Sequence, residues 1–269
     1  MLNEGAITTQ ASTVNVKKLF DLTGRVAIIT GGSIGLGRQM AEGLGEMGAC
    51  LALCARKEDR CHQAAEELQS LGVQAIALRC DVTSKASVQE AVEATVSQFG
   101  RIDVLINNAG ISWGAPIEEM QLEDWNKVID TNLTGTFLCA QAVGKMMIRQ
   151  GRGKIINIAS VAGLGGSPPE LPVIGYHASK GGVISFTKDL ACKWAAHNIQ
   201  VNAIAPGWFP TRMSNRVLEH YSDLFLSHIP LRRFGNEHDL KGAAVFLASD
   251  ASNYVTGHVL VVDGGQSAW

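Results

Sequence analysis

With 269 residues, 46% of them hydrophobic, the chain is long enough for one large α/β domain with a substantial core, or for two small ones. A formal net charge of -2 and the lack of any Lys/Arg-rich run exclude the basic footprint of a nucleic-acid binder, so the expected partner is a small molecule. No apolar stretch reaches bilayer length and residues 1–20 lack the apolar core of a signal peptide, which predicts a cytoplasmic protein with no membrane partner.

Residues 1–20 are polar and small and are expected to form an N-terminal extension. An alternation follows: strand 25–30, helix 36–48, strand 50–54, helix 58–71, strand 74–79, helix 84–98 and strand 103–106. It continues through a long helical region at 123–150, strand 154–158, helix 176–197, strand 200–204, helix 237–248 and strand 258–262. Strands and helices at this spacing predict right-handed βαβ units on a parallel sheet of about seven strands, a doubly wound α/β fold of the Rossmann type. No linker or composition shift divides residues 21–269, so a single domain is expected. Two stretches break the rhythm, a Gly/Pro-rich loop at 162–175 and a longer segment at 206–235. Both follow strands and therefore belong at the carboxyl edge of the sheet, where open α/β folds bind ligands; one of them is expected to act as a lid, with a well-packed surface insertion without gating as the plain alternative.

The first strand is an unbroken apolar run that turns on Gly31, Gly35 and Gly37 into a helix. Glycines there let backbone approach a ligand, and the helix amides face an anion, which suits a dinucleotide pyrophosphate. No Gly-Lys-Ser/Thr follows, so a phosphate loop of the nucleoside-triphosphatase kind is excluded. A tight turn without a ligand is the plain alternative. Six cysteines lack any Cys-x-x-Cys pair and seven histidines lack His-Glu-x-x-His, which predicts reduced thiols and no protein-bound catalytic metal. Tyr176 and Lys180 lie four apart on one helix face, where an ammonium would favour the phenolate and lower the tyrosine pKa. Such a pair is also common on ordinary helices.

In order, the chain carries Thr30-Gly31-x-x-x-Gly35-x-Gly37, Asp81, Asn107-Asn108-Ala109-Gly110, Asn132, Ser160, Tyr176-x-x-x-Lys180, Pro206-Gly207 and Thr211. Over roughly residues 20–265 this pattern resembles the short-chain dehydrogenase/reductase family. The resemblance implies hydride transfer between a nicotinamide and a ketone or secondary alcohol, with Tyr176 as general acid/base and Ser160 bonding the reacting oxygen. It implies that Lys180 holds the nicotinamide ribose and lowers the tyrosine pKa, and that Asn132 sits at a helix kink and relays protons through water. It places Gly31, Ser33, Ile34, Gly35, Leu36 and Gly37 on the pyrophosphate, Asp81 and Val82 at the adenine, and Asn107, Asn108, Ala109 and Gly110 beneath the adenosine ribose. Pro206, Gly207, Phe209 and Thr211 complete the implied cofactor site, Thr211 at the carboxamide. Asp81 and the Asn107-Asn108 pair are equally readable as turn residues.

The second strand ends in Arg56-Lys57 with no acid before Glu58. A carboxylate there would hold a 2′-hydroxyl, whereas Arg56 forks onto a 2′-phosphate, so NADP is expected over NAD. Against this, Ile34 stands where many NADP-using relatives carry a cation, and Arg38 reads as surface charge. Trp113, Leu164, Ile174, Trp208 and Met213, together with Phe209, are expected around the substrate carbonyl.

Within the family the chain looks similar both to 3-oxoacyl carrier-protein reductases and to sugar-acid or polyol dehydrogenases of the gluconate 5-dehydrogenase type. The first would need a basic patch, for which Arg212, Arg216, Arg232 and Arg233 are candidates. A dinucleotide-sensing regulatory protein is the alternative from another class. It has no use for an intact Tyr176 and Lys180. A methyltransferase on a similar sheet would have no use for Ser160, Tyr176 and Lys180 together. The resemblance also implies a homotetramer, or a homodimer, built on the long helices and the terminal strand.

Overall fold

The computed structural model describes residues 14–269; the first part of the expected extension lies outside them. A single turn, α1 (Val16–Leu19), is capped by the Asn15 side chain, which accepts from the Lys17 amide. Seven strands then form one parallel sheet: β1 (Val26–Thr30), β2 (Cys50–Ala55), β3 (Ala75–Arg79), β4 (Val104–Asn107), β5 (Gly153–Ile158), β6 (Ile199–Pro206) and β7 (Val259–Val262). Their order is β3-β2-β1-β4-β5-β6-β7, so the winding reverses between β1 and β4. That reversal opens a crevice at the carboxyl ends of the two strands.

The helices are α2 (Gly35–Glu46), α3 (Glu58–Ser70), α4 (Lys85–Phe99), α5 (Leu122–Ile129), α6 (Gly135–Gln150), α7 (Ile174–Trp194), α8 (Asn215–His228) and α9 (Lys241–Ala248). Strand side chains alternate between faces, so adjacent apolar residues serve two cores. Ile29 and Ile106 join Met40 and Leu44 of α2, Leu68 of α3 and Ala244 of α9. Their neighbours Ile28 and Leu105 join Val88 and Val92 of α4, Val143 and Met147 of α6, and Leu190 of α7. This is why the strand sequences are continuously apolar: both faces are covered.

The helix kink expected at Asn132 is a π-helical turn, Asp130–Thr134, which joins α5 to α6 within the long helical region. One element differs from the sequence expectation. The segment at 206–235 is not an irregular loop but carries α8, bent at Tyr221, whose φ and ψ are -126° and 21°. Its apolar residues Val217, Leu218, Tyr221, Leu224 and Phe225 keep helical spacing, a signal diluted by the intervening Ser, His and Asp residues.

The six cysteines are free thiols, with Cys54, Cys61, Cys80 and Cys139 buried. Among the described residues no helix is long and apolar enough to cross a membrane.

Candidate active site

The crevice is built from the switch point outward. Thr30, at the end of β1, accepts through Oγ1 from the amides of Asn108 (3.0 Å) and Ala109 (3.1 Å). Asn108 returns the contact, donating from Nδ2 to the carbonyls of Thr30 and Gly31, each at 3.0 Å. The glycine turn is thereby fastened to the end of β4. Asn107, one residue earlier, is directed elsewhere: it is buried and donates to Asn157 Oδ1 at 2.9 Å across the β4–β5 pair. Period-two alternation separates the two asparagines, one structural within the sheet and one at the crevice.

Gly31 has φ +64° and Gly35 φ +56°, the left-handed region. Gly37 is required for a different reason, lack of room: a Cβ there would overlap the Gly31 carbonyl oxygen and lie 2.5 Å from Asn108 Nδ2. The amino end of α2 has Ile34 as its cap residue with no side-chain hydrogen bond, and no acid occupies the first turn. Its free amides therefore meet an anion unopposed. A glycine cradle that any Cβ would fill, at an uncapped helix start, fits a dinucleotide pyrophosphate. Ser33, Ile34, Leu36 and Gly35 line that turn, and a Cβ on Gly35 would come 3.7 Å from Thr211 Cγ2, so Thr211 stands beside it. Ser214 Oγ holds Thr211 there, accepting from its amide at 2.9 Å. Gly207 sits where β6 ends at Pro206, its amide donating to Val262 (3.0 Å). We expect Gly37→Ala to lose roughly 1–3 kcal/mol of stability and to weaken dinucleotide binding, read by thermal unfolding with and without NADPH. Unchanged unfolding and binding would remove Gly37 from the cradle.

Arg56 and Lys57 are exposed after β2. Burial pushes the Asp81 carboxyl up, but the Thr83 amide (3.0 Å) and hydroxyl (2.8 Å), with the charges of Arg56 and Arg79, hold it below its ordinary value. Asp81 thus closes its own turn as well as facing Arg56. Val82 is buried against Gly135 of α6. Arg38, expected as surface charge, is instead a strut. Its guanidinium is 14% exposed and bonds Glu42 (2.9 Å), Glu67 (3.3 Å) and the Ala64 carbonyl, joining α2 to α3. These partners hold the guanidinium between the two helices.

Ser160 follows β5 and caps the 3-10 turn Val161–Gly163, its Oγ accepting from the Ala162 amide at 3.2 Å. Tyr176 lies in the first turn of α7, with Lys180 one turn on and its Nζ 5.6 Å from the tyrosine ring centroid. Lys180 is buried and donates to the Ile158 carbonyl at 2.6 Å; desolvation lowers its pKa to about 8. Burial pushes the Tyr176 phenol above its ordinary value, and the hydrogen bond from Ser160 works against that rise. The net direction is opposite to the sequence expectation of a phenol lowered by Lys180. Burial is the larger cause, and the Lys180 ammonium is anchored on the Ile158 carbonyl.

Asn132 lies in the π-helical turn, 1% exposed, with its side chain fully used. Its Oδ1 accepts from the Ile111 amide (2.8 Å), and its Nδ2 donates to the Ile111 carbonyl (2.9 Å) and Ser179 Oγ (3.0 Å). Ser179 in turn donates to the Tyr176 carbonyl at 2.8 Å. The amide therefore clamps the segment carrying Gly110 to the turn carrying Tyr176 and Lys180. A Cβ on Gly110 would sit 3.2 Å from Asn132 Oδ1 and 3.7 Å from Lys180 Nζ. Ser179 is absent from the sequence pattern, although it stands inside the Tyr-x-x-x-Lys spacing.

These contacts bring the glycine turn, the β4 end, Asn132, Ser160, Tyr176 and Lys180 to one edge of one sheet. A family model described as enoyl-(acyl carrier protein) reductase matches residues 31–267. The chain belongs to the short-chain dehydrogenase/reductase family. It is 41% identical to a gluconate 5-dehydrogenase from Gluconobacter oxydans, over 92% of this chain and 96% of that one. It is 41% identical to a 3-oxoacyl-[acyl-carrier-protein] reductase from Staphylococcus epidermidis, over 89% of this chain and 97% of the relative. Among solved structures, a gluconate 5-dehydrogenase from Burkholderia cenocepacia in complex with NADP and tartrate superposes with a TM-score of 0.91 at 38% identity, covering 95% and 100% of the two chains. This family member is an enzyme acting between CH–OH and C=O groups of a small-molecule substrate, with a nicotinamide dinucleotide as cofactor.

On the enzyme's substrate side the expected apolar residues separate into two groups. Trp113, Leu164, Ile174 and Met213 are each between 43% and 48% exposed. Trp208 is stacked on Phe225 of α8, with ring centroids 4.3 Å apart at 13°, and its buried Nε1 has no partner among the described residues. The Phe209 side chain lies in the core, packed on Gly235, so it contributes no side chain to a pocket. Its aromatic character suggests lining; the fold uses it as filling.

Proposed function

We propose that the enzyme is an NADP-dependent reductase of ketones with an apolar substituent beside the carbonyl. The observation that carries the substrate half is the set of half-exposed apolar side chains: Leu164 and Ile174 on the stretch between Ser160 and Tyr176, Trp113 on the segment bonded to that stretch through Ala115 and Pro172, and Met213 two residues from Thr211. Arg56 carries the cofactor half, with Lys57 beside it and no acid at the end of β2. The complex of the Burkholderia relative with NADP supports the same choice. A bound nicotinamide supplies the hydride. Tyr176, a phenol that burial holds above its ordinary value of 10.0, donates its proton to the carbonyl oxygen as charge builds there. Ser160 donates a second hydrogen bond to that oxygen. Lys180, held by the Ile158 carbonyl, orients the ribose, and Asn132 keeps the Tyr176 turn in register.

A carrier-protein substrate is less well served than a small ketone. Of the four arginines considered for a basic patch, Arg233 is paired with Asp239 and Arg232 donates to the Leu226 and Ser227 carbonyls. Among the described residues only Arg212 and Arg216 of the four project without such partners. Dehydrogenation of a sugar acid is the second reading, favoured by the identity to the Gluconobacter relative.

The test is oxidation of NADPH and NADH against cyclic ketones, diketones, acyl thioesters and keto sugar acids, with Tyr176→Phe as blank. Turnover of the apolar ketones with NADPH is expected. Turnover confined to keto sugar acids would overturn the proposal in favour of the second reading, and tight NADPH binding with no turnover would favour a sensor.

The same reading makes the enzyme a cytoplasmic homo-oligomer, a tetramer or a dimer. A groove of about 490 Å³ between α4 and α6, lined by Val92, Val96, Ala142 and Met146, and the edge strand β7 are the faces for it. Light scattering giving the mass of one chain, 28.7 kDa, would refute the assembly.

A further inference from the structure

The loop between Ser160 and Tyr176 is held by few contacts for a segment that separates two catalytic residues. Its tip is self-contained: Ser167 Oγ donates to the Leu171 carbonyl (3.1 Å) and the Leu171 amide to Pro168 (3.0 Å). Between the 3-10 turn at its start and the backbone entering α7, two hydrogen bonds tie it to its surroundings. The Ala115 amide donates to the Pro172 carbonyl at 2.9 Å, fastening the far end to the segment that carries Trp113. His177 Nδ1 lies 2.9 Å from the Gly165 carbonyl oxygen, fastening the near end to the first turn of α7. Packing does not help there, because a Cβ placed on Gly165 or Gly166 would meet nothing within 4 Å. Two successive glycines in open space have wide conformational freedom, so beyond the 3-10 turn, which is packed on α7 through Gly163, the hydrogen bond from His177 is what ties this end of the loop.

We infer that His177 is a positioning residue for the substrate pocket: by holding Gly165 it sets Leu164 as the apolar wall next to Ser160. The inference rests on the reading of the site as an apolar-ketone reductase. A carbonyl can only accept, so Nδ1 carries the proton and donates, in the neutral ring and in the imidazolium alike. Asparagine places its Nδ2 donor at the same reach from the backbone, whereas alanine has no donor and phenylalanine has the ring volume without one.

The experiment compares the full-length wild type with His177→Ala, His177→Phe and His177→Asn. Three quantities are read: KM and kcat for ethyl 3-oxobutanoate and a cyclic diketone, the Kd for NADPH by fluorescence, and cleavage by a glutamate-specific protease after Glu170 at the loop tip. Loss of one hydrogen bond predicts a rise of about two- to tenfold in KM and in the cleavage rate for the alanine and phenylalanine variants. NADPH affinity should stay within about twofold, which also shows that the variants are folded, and the asparagine variant should match the wild type. Unchanged cleavage in His177→Ala would overturn the anchor, and faster cleavage with unchanged KM would overturn the wall. If His177→Asn behaves like His177→Ala, the donor is not what matters and the inference fails. Failure of the ketone reading itself looks different: the wild type would turn over neither substrate, while the protease still reports on the loop.

Discussion

Tyr176→Phe is expected to lower kcat for ketone reduction by roughly 10²–10⁴, the usual share of a positioned general acid, while NADPH binding stays near the wild-type value. The change removes one oxygen and leaves the ring that packs at the start of α7, so folding is spared. The phenol's pKa, ordinarily 10.0, is raised by burial, with the Ser160 hydrogen bond opposing the rise, so at neutral pH the group is a donor. Reduction should therefore hold its rate across the neutral range and fall only as alkaline pH removes the proton. Oxidation of the alcohol needs the phenolate and should rise with pH over the same window. Paired pH profiles in the two directions check this. Parallel profiles, or turnover retained in Tyr176→Phe, would take the acid role from Tyr176.

Arg56→Asp should invert the cofactor preference. A charge-assisted hydrogen bond to phosphate contributes about 1.5–3 kcal/mol, and an acid in its place adds repulsion. The KM for NADPH is therefore expected to rise roughly tenfold to a hundredfold, since about 1.4 kcal/mol is a factor of ten, while the KM for NADH falls or holds. Arg56 is exposed, so the substitution should leave stability nearly untouched. Against burial, which works to neutralise the Asp81 carboxyl, the Thr83 hydrogen bonds and the Arg56 charge hold it ionised. An unchanged NADPH-to-NADH ratio would show that Arg56 faces solvent only. Because Arg38 is consumed by Glu42, Glu67 and the Ala64 carbonyl, it cannot take over the role.

Local spacing determined a great deal about this protein. Continuous apolar strands between amphipathic helices specify a parallel sheet covered on both faces, because only that arrangement buries such strands. Glycines in a strand-to-helix turn mark the cradle, since a backbone with positive φ or a close approach is a local demand. Tyr176 and Lys180 share a face because a helix turn brings residues four apart together.

Tertiary structure decided which of several plausible side chains point into the crevice. Asn107 and Asn108 are the same residue type in adjacent positions, yet one bonds Asn157 within the sheet and the other the glycine turn. Phe209 and Trp208 are consumed by the core and by α8, and Arg38 by α3. Ser179 and His177 gain their roles only through Asn132, 47 residues away, and Gly165, 12 residues away. The physical reason is common to all of these. A hydrogen bond or a packed ring depends on a partner brought close by the winding of the sheet, and periodicity along the chain carries no record of what lies across that distance.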